Sequence, residues 1–114
     1  MMIDEFQFGS ITVNGQKYDF DVEIRAKGEV LRWPREKSHV FNLKDVERVT
    51  AENPEIIILG IGVYGLAQVS GEVQEFFENK GIKLIIEKTD QAVRFFNNLI
   101  KEKKKVIGFF HLTC

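Results

Sequence analysis

Glu55-Ile56-Ile57-Ile58-Leu59 runs directly into Gly60-Ile61-Gly62-Val63-Tyr64-Gly65. The first five residues lack the alternation of a strand that keeps one face wet. A continuous run of this kind predicts a strand covered on both faces, as in a parallel sheet flanked by helices. The glycines then predict a chain reversal, since each tolerates a positive φ and a close backbone approach. Downstream, Ser70 is placed to cap a helix with Val73, Phe76 and Phe77 inward, ending at Gly81. Ile82 to Glu87 is a second buried run. Thr89 is placed to cap a third helix, with Ala92, Val93, Phe96, Leu99 and Ile100 inward, and Val106 to Leu112 reads as the last strand. Strand, helix, strand, helix, strand implies right-handed crossovers and a parallel pair at the centre of the sheet.

Upstream the pattern changes. Phe6, Phe8, Ile11 and Val13 alternate with polar residues, and Asn14-Gly15 follows. That dipeptide favours a two-residue hairpin turn, because both residues accept a positive φ. Tyr18, Phe20, Val22 and Ile24 continue the period of two on a return strand. Lys27-Gly28-Glu29 reads as a turn, Val30 to Trp33 as a short strand, and Pro34 as its end. Asn42 is placed to cap a helix running to about Glu52, with Leu43, Val46 and Val49 on one face, stopped by Asn53-Pro54. The sum is an α/β fold with an N-terminal β-hairpin packed on or beside the main sheet.

With 114 residues the chain is expected to form one domain, 1–114. Sixteen Lys and Arg stand against seventeen Asp and Glu, interspersed for a net charge of −1. No field of one sign is available to recruit nucleic acid, and none is expected as a partner. The basic run Lys101–Lys105, broken by Glu102, reads as a solvated helix end complementing the helix dipole. The longest apolar run, Ile56 to Leu59, is too short to span a bilayer, so no membrane partner is expected. The acidic start MMIDEFQFG does not have the form of a signal peptide. A single cysteine, Cys114, permits no intramolecular disulfide. These features predict a reducing, cytoplasmic setting.

Several segments together carry a family resemblance. They are Phe8-Gly9-Ser10-Ile11-Thr12-Val13-Asn14-Gly15, Arg32-Trp33-Pro34-Arg35, Ser38-His39, Asn53-Pro54-Glu55, the Gly60–Gly65 turn, Gly81-Ile82, and the ending His111-Leu112-Thr113-Cys114. The chain resembles the small domain of unknown function, of DUF498 type, shared by an adipogenesis-associated human protein and a mitochondrial complex I assembly factor. The resemblance implies a three-layer fold on a mixed five-stranded sheet, with the last strand antiparallel to its neighbours. It implies no established activity. The assembly-factor member makes partner binding the expectation. The chain departs from the family pattern at Pro34, where a second aromatic is common, and at Ile61, where threonine is common.

Gly60-x-Gly62-x-x-Gly65 between strand and helix also matches the dinucleotide fingerprint, and Glu87 closes the next strand about 20 residues on, where that fingerprint holds an acid for a ribose hydroxyl. In the fingerprint, however, the glycines open the helix, so that its first amides meet the pyrophosphate. Here Leu66-Ala67-Gln68-Val69 intervene before Ser70. The turn therefore reads first as chain geometry, and no cofactor is expected. Ligands of open α/β sheets lie beyond the carboxyl ends of parallel strands. This predicts a shallow small-anion or metabolite pocket lined by Gly60, Gly62, Tyr64, Gly65, Lys88 and Thr89.

A second candidate is the cluster Arg32, Trp33, Arg35 and His39, since Arg with Trp is the composition of interface hot spots. The competing reading puts Trp33 in the core and the arginines in solvent. His111 and Cys114 suggest a nucleophile, but residues three apart on an extended chain point to opposite faces. His111 then reads as a hydrogen-bonded strand residue. Two histidines and one cysteine do not supply a closed zinc site, so no metal is expected. No catalytic residue is assigned. The sequence favours a non-catalytic interaction or assembly module, with an unidentified protein partner or self-association. A ligand or enzyme site at the glycine turn is the alternative.

Overall fold

The computed structural model describes residues 2–35, 37 and 39–114. Ser38, one of the residues carrying the resemblance, lies outside them. The buried run forms β7 (Ile56–Ile61), one residue further into the glycine turn than Gly60. It pairs in parallel with β9 (Lys83–Glu87) on one side and with β10 (Val106–His111) on the other. β10 also pairs antiparallel with β4 (Val22–Ile24), and β4 with β5 (Val30–Arg32). The sheet order is therefore β5-β4-β10-β7-β9. The expected mixed five-stranded sheet is present. One detail changes: the last strand, β10, runs antiparallel to β4 only and parallel to β7. A crossover through α3 (Thr89–Lys101) carries the chain from edge strand β9 over β7 to the middle position between β4 and β7.

Alternate residues of each central strand feed two cores. Ile56, Ile58, Val106 and Phe110 pack beneath α3 and the N-terminal strands. Ile57, Leu59, Ile107 and Phe109 pack on the other face against α1 (Leu43–Val46) and α2 (Gly71–Asn79). This makes three layers, and burial on both faces is the physical cause of the unbroken apolar run.

The hairpin is more divided than its alternation suggests. β1 (Ile3–Gln7) and β2 (Ser10–Val13) are separated by a turn at Phe8-Gly9, and β2 pairs with β3 (Gln16–Tyr18) through Asn14-Gly15. Asn14 and Gly15 take φ of 50° and 80°, as a hairpin turn of this kind requires. The return strand does not continue to Ile24. It breaks at Asp19–Asp21 and re-forms as β4 in the main sheet, so residues 16–24 link two layers. The helix expected from Asn42 to Glu52 is one α-turn followed by a 3-10 segment, Glu47–Glu52. The Asp45 carboxylate accepts from the Asn42 amide at 2.8 Å, and Asn53 ends the segment in the left-handed region. β6 (Val40–Phe41) and β8 (Gln68–Val69) form a small parallel pair that fills the interval before Ser70. Among the described residues no helix is long and apolar enough to cross a membrane.

Candidate functional site

The parallel strands β7 and β10 end side by side, with Ile61 opposite His111. The chain beyond β10 crosses this end of the sheet as an extended tail, Leu112–Cys114, and the glycine turn is moulded to it. Val63 donates its amide to Thr113 O at 2.7 Å, and Leu66 donates to Cys114 O at 3.1 Å. Gly62, with φ +103°, faces the tail: a Cβ there would stand 2.2 Å from the Cys114 carbonyl carbon. Any side chain would displace the tail. The same test at Gly60 meets Thr89 Oγ1 at 3.0 Å, and at Gly65 it meets Lys88 Cγ at 3.1 Å. All three glycines are thus spaced for protein atoms of this chain.

Thr89 corrects an expectation. It is the first helical residue of α3, while Lys88 takes the capping position, and its hydroxyl serves the sheet. Oγ1 donates to His111 O at 2.6 Å and accepts from Gly62 N at 2.9 Å, and the Thr89 amide donates to Gly62 O at 3.1 Å. A buried hydroxyl with these bonds, and an amide already given to Gly62, leave neither group for an anion. Of the six residues expected to line a pocket, Gly60, Gly62 and Thr89 are buried, Gly65 is half-buried against Lys88, and Tyr64 and Lys88 are exposed.

The Arg32–His39 cluster is likewise divided by the fold. Trp33 is core: it packs edge-on against Phe41 and tilted against Phe109, with ring centroids at 4.7 Å and 4.9 Å, and Nε1 donates to Asp45 O at 3.0 Å. An aromatic held in this way is not a surface anchor, which corrects its assignment to an interaction surface. Arg32 and His39 are exposed, with the Arg32 guanidinium 4.2 Å from the Phe20 ring centroid. Arg35 turns inward, its guanidinium carbon 4.7 Å from the Trp33 ring centroid.

Arg35 leads to a cluster that sequence reasoning missed. Its Nη1 bonds Asp21 Oδ2 at 2.5 Å, and the same oxygen lies 2.7 Å from His111 Nδ1. Asp21 Oδ1 accepts from the Leu112 amide at 2.8 Å. Burial pushes the Asp21 carboxyl up. The hydrogen bonds from His111 and Leu112, with the nearby charge of Arg35, outweigh this and hold it below its ordinary value. With the imidazole proton on Nδ1, Nε2 faces Thr113 Oγ1 at 3.5 Å, and His39 stands edge-on to the ring at a centroid distance of 6.0 Å. The reading of His111 as a hydrogen-bonded strand residue agrees with this geometry. An acid that orients an imidazole is also the skeleton of a general base. Here both carboxylate oxygens and Nδ1 are engaged within the fold.

A fully buried carboxylate, Glu23, lies on β4 with no exposed side-chain surface. It accepts from Arg25 Nη1 at 2.8 Å and from Arg48 Nη2, and Glu52 closes the network on Arg25 Nε at 2.8 Å. Asp21 and Glu23 both occupied the polar positions of an alternating strand, which reads as solvent-facing. The three-layer packing encloses Glu23 and half-buries Asp21, and arginines stand against both. Among the described residues no group of three or more His, Cys, Asp or Glu is arranged to hold a metal ion.

The model of the family described as "Protein of unknown function (DUF498/DUF598)" matches residues 3–111. The chain belongs to this family. The resemblance carried by the glycine turn and its companion segments is borne out across nearly the whole sequence. The fold is similar to that of the conserved hypothetical protein PH1505 from Pyrococcus horikoshii OT3, at 25% identity and a TM-score of 0.88, with all of each chain covered. A structure named MT938 is similar at 26% identity and a TM-score of 0.87, covering 99% of this chain and 98% of that one. A protein from Bartonella henselae described as an outer membrane protein shares the fold at 23% identity and a TM-score of 0.84, covering 98% of this chain and 94% of that one. As a member of the DUF498/DUF598 family the chain has relatives of known fold, described as a conserved hypothetical protein among others.

Proposed function

We propose that this domain is a non-catalytic interaction module, and that its contact surface is the end of the sheet where β7 and β10 finish. One observation carries the reading. Three large apolar side chains are well exposed there, Phe8 (57%), Tyr64 (63%) and Leu66 (61%), and each stands on or beside a residue hydrogen-bonded to the tail. Gly9, beside Phe8, donates to Leu112 O at 2.8 Å; Val63, beside Tyr64, donates to Thr113 O; Leu66 donates to Cys114 O. Exposed aromatic and aliphatic groups held on a rigid backbone, beside polar groups already paired with one another, are the composition of a protein-binding surface. The self-contained Asp21–His111–Arg35 cluster supports a framework role for those residues. The partner is a protein that buries these three side chains. The lone cysteine supports a reducing, cytoplasmic setting.

The test is affinity capture with the wild type, with Phe8→Ser/Tyr64→Ser/Leu66→Ser, and with Lys101→Ala as a surface control. All three substituted sites in the triple variant are exposed, so unchanged circular dichroism is expected. A specific protein recovered with wild type and control but lost with the triple variant agrees with the reading. Equal recovery with all three refutes it.

A further inference from the structure

β9 is the edge of the five-stranded sheet. Its inner side pairs with β7 from Ile56/Lys83 to Gly60/Glu87, and among the described residues its outer side pairs with no strand. The Lys83 amide points inward, donating to Glu55 O at 3.2 Å, and so does the Thr89 amide, donating to Gly62 O. By the two-residue period of a strand, the amides and carbonyls of Leu84 and Ile86 point outward, to the open edge. Such an edge is a template for another strand unless it is blunted by proline, a bulge or an inward charge. Lys-Leu-Ile-Ile-Glu has neither proline nor bulge, and its two charges, Lys83 and Glu87, stand at its ends and are of opposite sign.

We infer that the partner for this edge is a second copy of the chain, paired β9 to β9 antiparallel about a two-fold axis through Ile85. The sequence of the strand complements itself in that register. Leu84 meets Ile86 of the second copy as a hydrogen-bonded pair, which uses all the outward amides and carbonyls of both residues. Lys83 then meets Glu87 of the second copy as a non-hydrogen-bonded pair, the class in which facing side chains approach most closely. Among the described residues neither Lys83 nor Glu87 has an ion-pair partner in its own chain. Shifting the register by two residues either way removes the charge match.

The flanks agree with the same occupant. On one face, Ile82, Leu84 and Ile86 remain partly exposed in a groove of about 260 Å³ shared with Gln74 and Glu78 of α2. On the other face, Phe95 is 41% exposed on the flank of α3 turned away from Asn97, whose side chain holds Ile3 of β1. Joining two edges extends the sheet to ten strands and covers apolar surface on both faces. This inference goes beyond the tail surface proposed above and does not depend on it.

Sedimentation equilibrium over a wide concentration range tests it, using Lys83→Glu, Glu87→Lys and the double variant Lys83→Glu/Glu87→Lys. The wild type is expected to dimerise reversibly. Each single reversal sets like charges opposite one another twice in the dimer and should weaken association by about tenfold or more. The double variant restores two opposite-charge pairs and should recover the wild-type dissociation constant, with Leu84 and Ile86 amides protected from exchange only at dimer-forming concentrations. A wild type that stays monomeric would overturn the proposal. So would a dimer indifferent to the single reversals, or a double variant that fails to recover.

Discussion

Thr89 Oγ1 donates to the carbonyl of His111 at 2.6 Å and so ties the first turn of α3 to the last residue of β10. The same oxygen accepts from the Gly62 amide, and three elements meet at one buried hydroxyl. Thr89→Val keeps the shape and removes both bonds. Each of the two buried groups left without its partner costs about 1–3 kcal/mol, so a loss of roughly 2–6 kcal/mol is expected. Thr89→Ser keeps the hydroxyl and loses a methyl, about 1 kcal/mol. Urea denaturation separates the two, and a valine variant no less stable than the serine variant would show that this junction is not what holds the elements together.

Gly62 and Gly81 both have positive φ, but only Gly62 faces another segment. Gly81→Ala meets nothing within 4 Å and should lose the backbone strain alone, on the order of 1–3 kcal/mol. Gly62→Ala adds a collision with Cys114 and should lose more, with faster hydrogen exchange at the Val63 and Leu66 amides. Equal losses in the two variants would mean that the tail is not moulded to the turn as described.

Asp21 gives the domain an acid-dependent stability. Its folded-state pKa lies below the ordinary value of 3.8. The stabilisation is therefore complete above that value and is lost as pH falls through the lower, folded-state value. Asp21→Asn should be less stable at neutral pH by roughly 1–3 kcal/mol, because the charged carboxylate that bonds Arg35, His111 and the Leu112 amide is lost. It should also lose part of the wild-type fall in stability below about pH 4. Parallel stability curves for the two proteins in acid would refute the role given to this carboxylate.

Trp33 and Arg32 are adjacent in sequence and opposite in environment. Trp33→Ala empties a core site and should cost about 3–5 kcal/mol. Arg32→Ala removes a solvent-exposed contact over Phe20, worth about 0.5–1 kcal/mol. Comparison of chemical denaturation midpoints tests this, and similar losses for both would contradict the burial of Trp33.

Elements whose signal is local are legible in the chain alone. The unbroken run Glu55–Leu59 announced a strand buried on both faces, Asn14-Gly15 a hairpin turn, and Ser70 a helix start, because period, φ tolerance and side-chain capping act between near neighbours. The long-range features came only with the packed fold. It decided that β10 slips between β4 and β7, that residues 16–24 serve two sheets, and that Asp21 meets Arg35 and His111. Alternation can mark Asp21 and Glu23 as polar positions, but the half-burial of Asp21 and the full burial of Glu23 depend on a layer contributed by distant residues. The glycine turn shows both limits. Its spacing fixed a reversal after β7, while the tail, Thr89 and Lys88 settled what the glycines accommodate: protein atoms that arrive from segments more than 20 residues away.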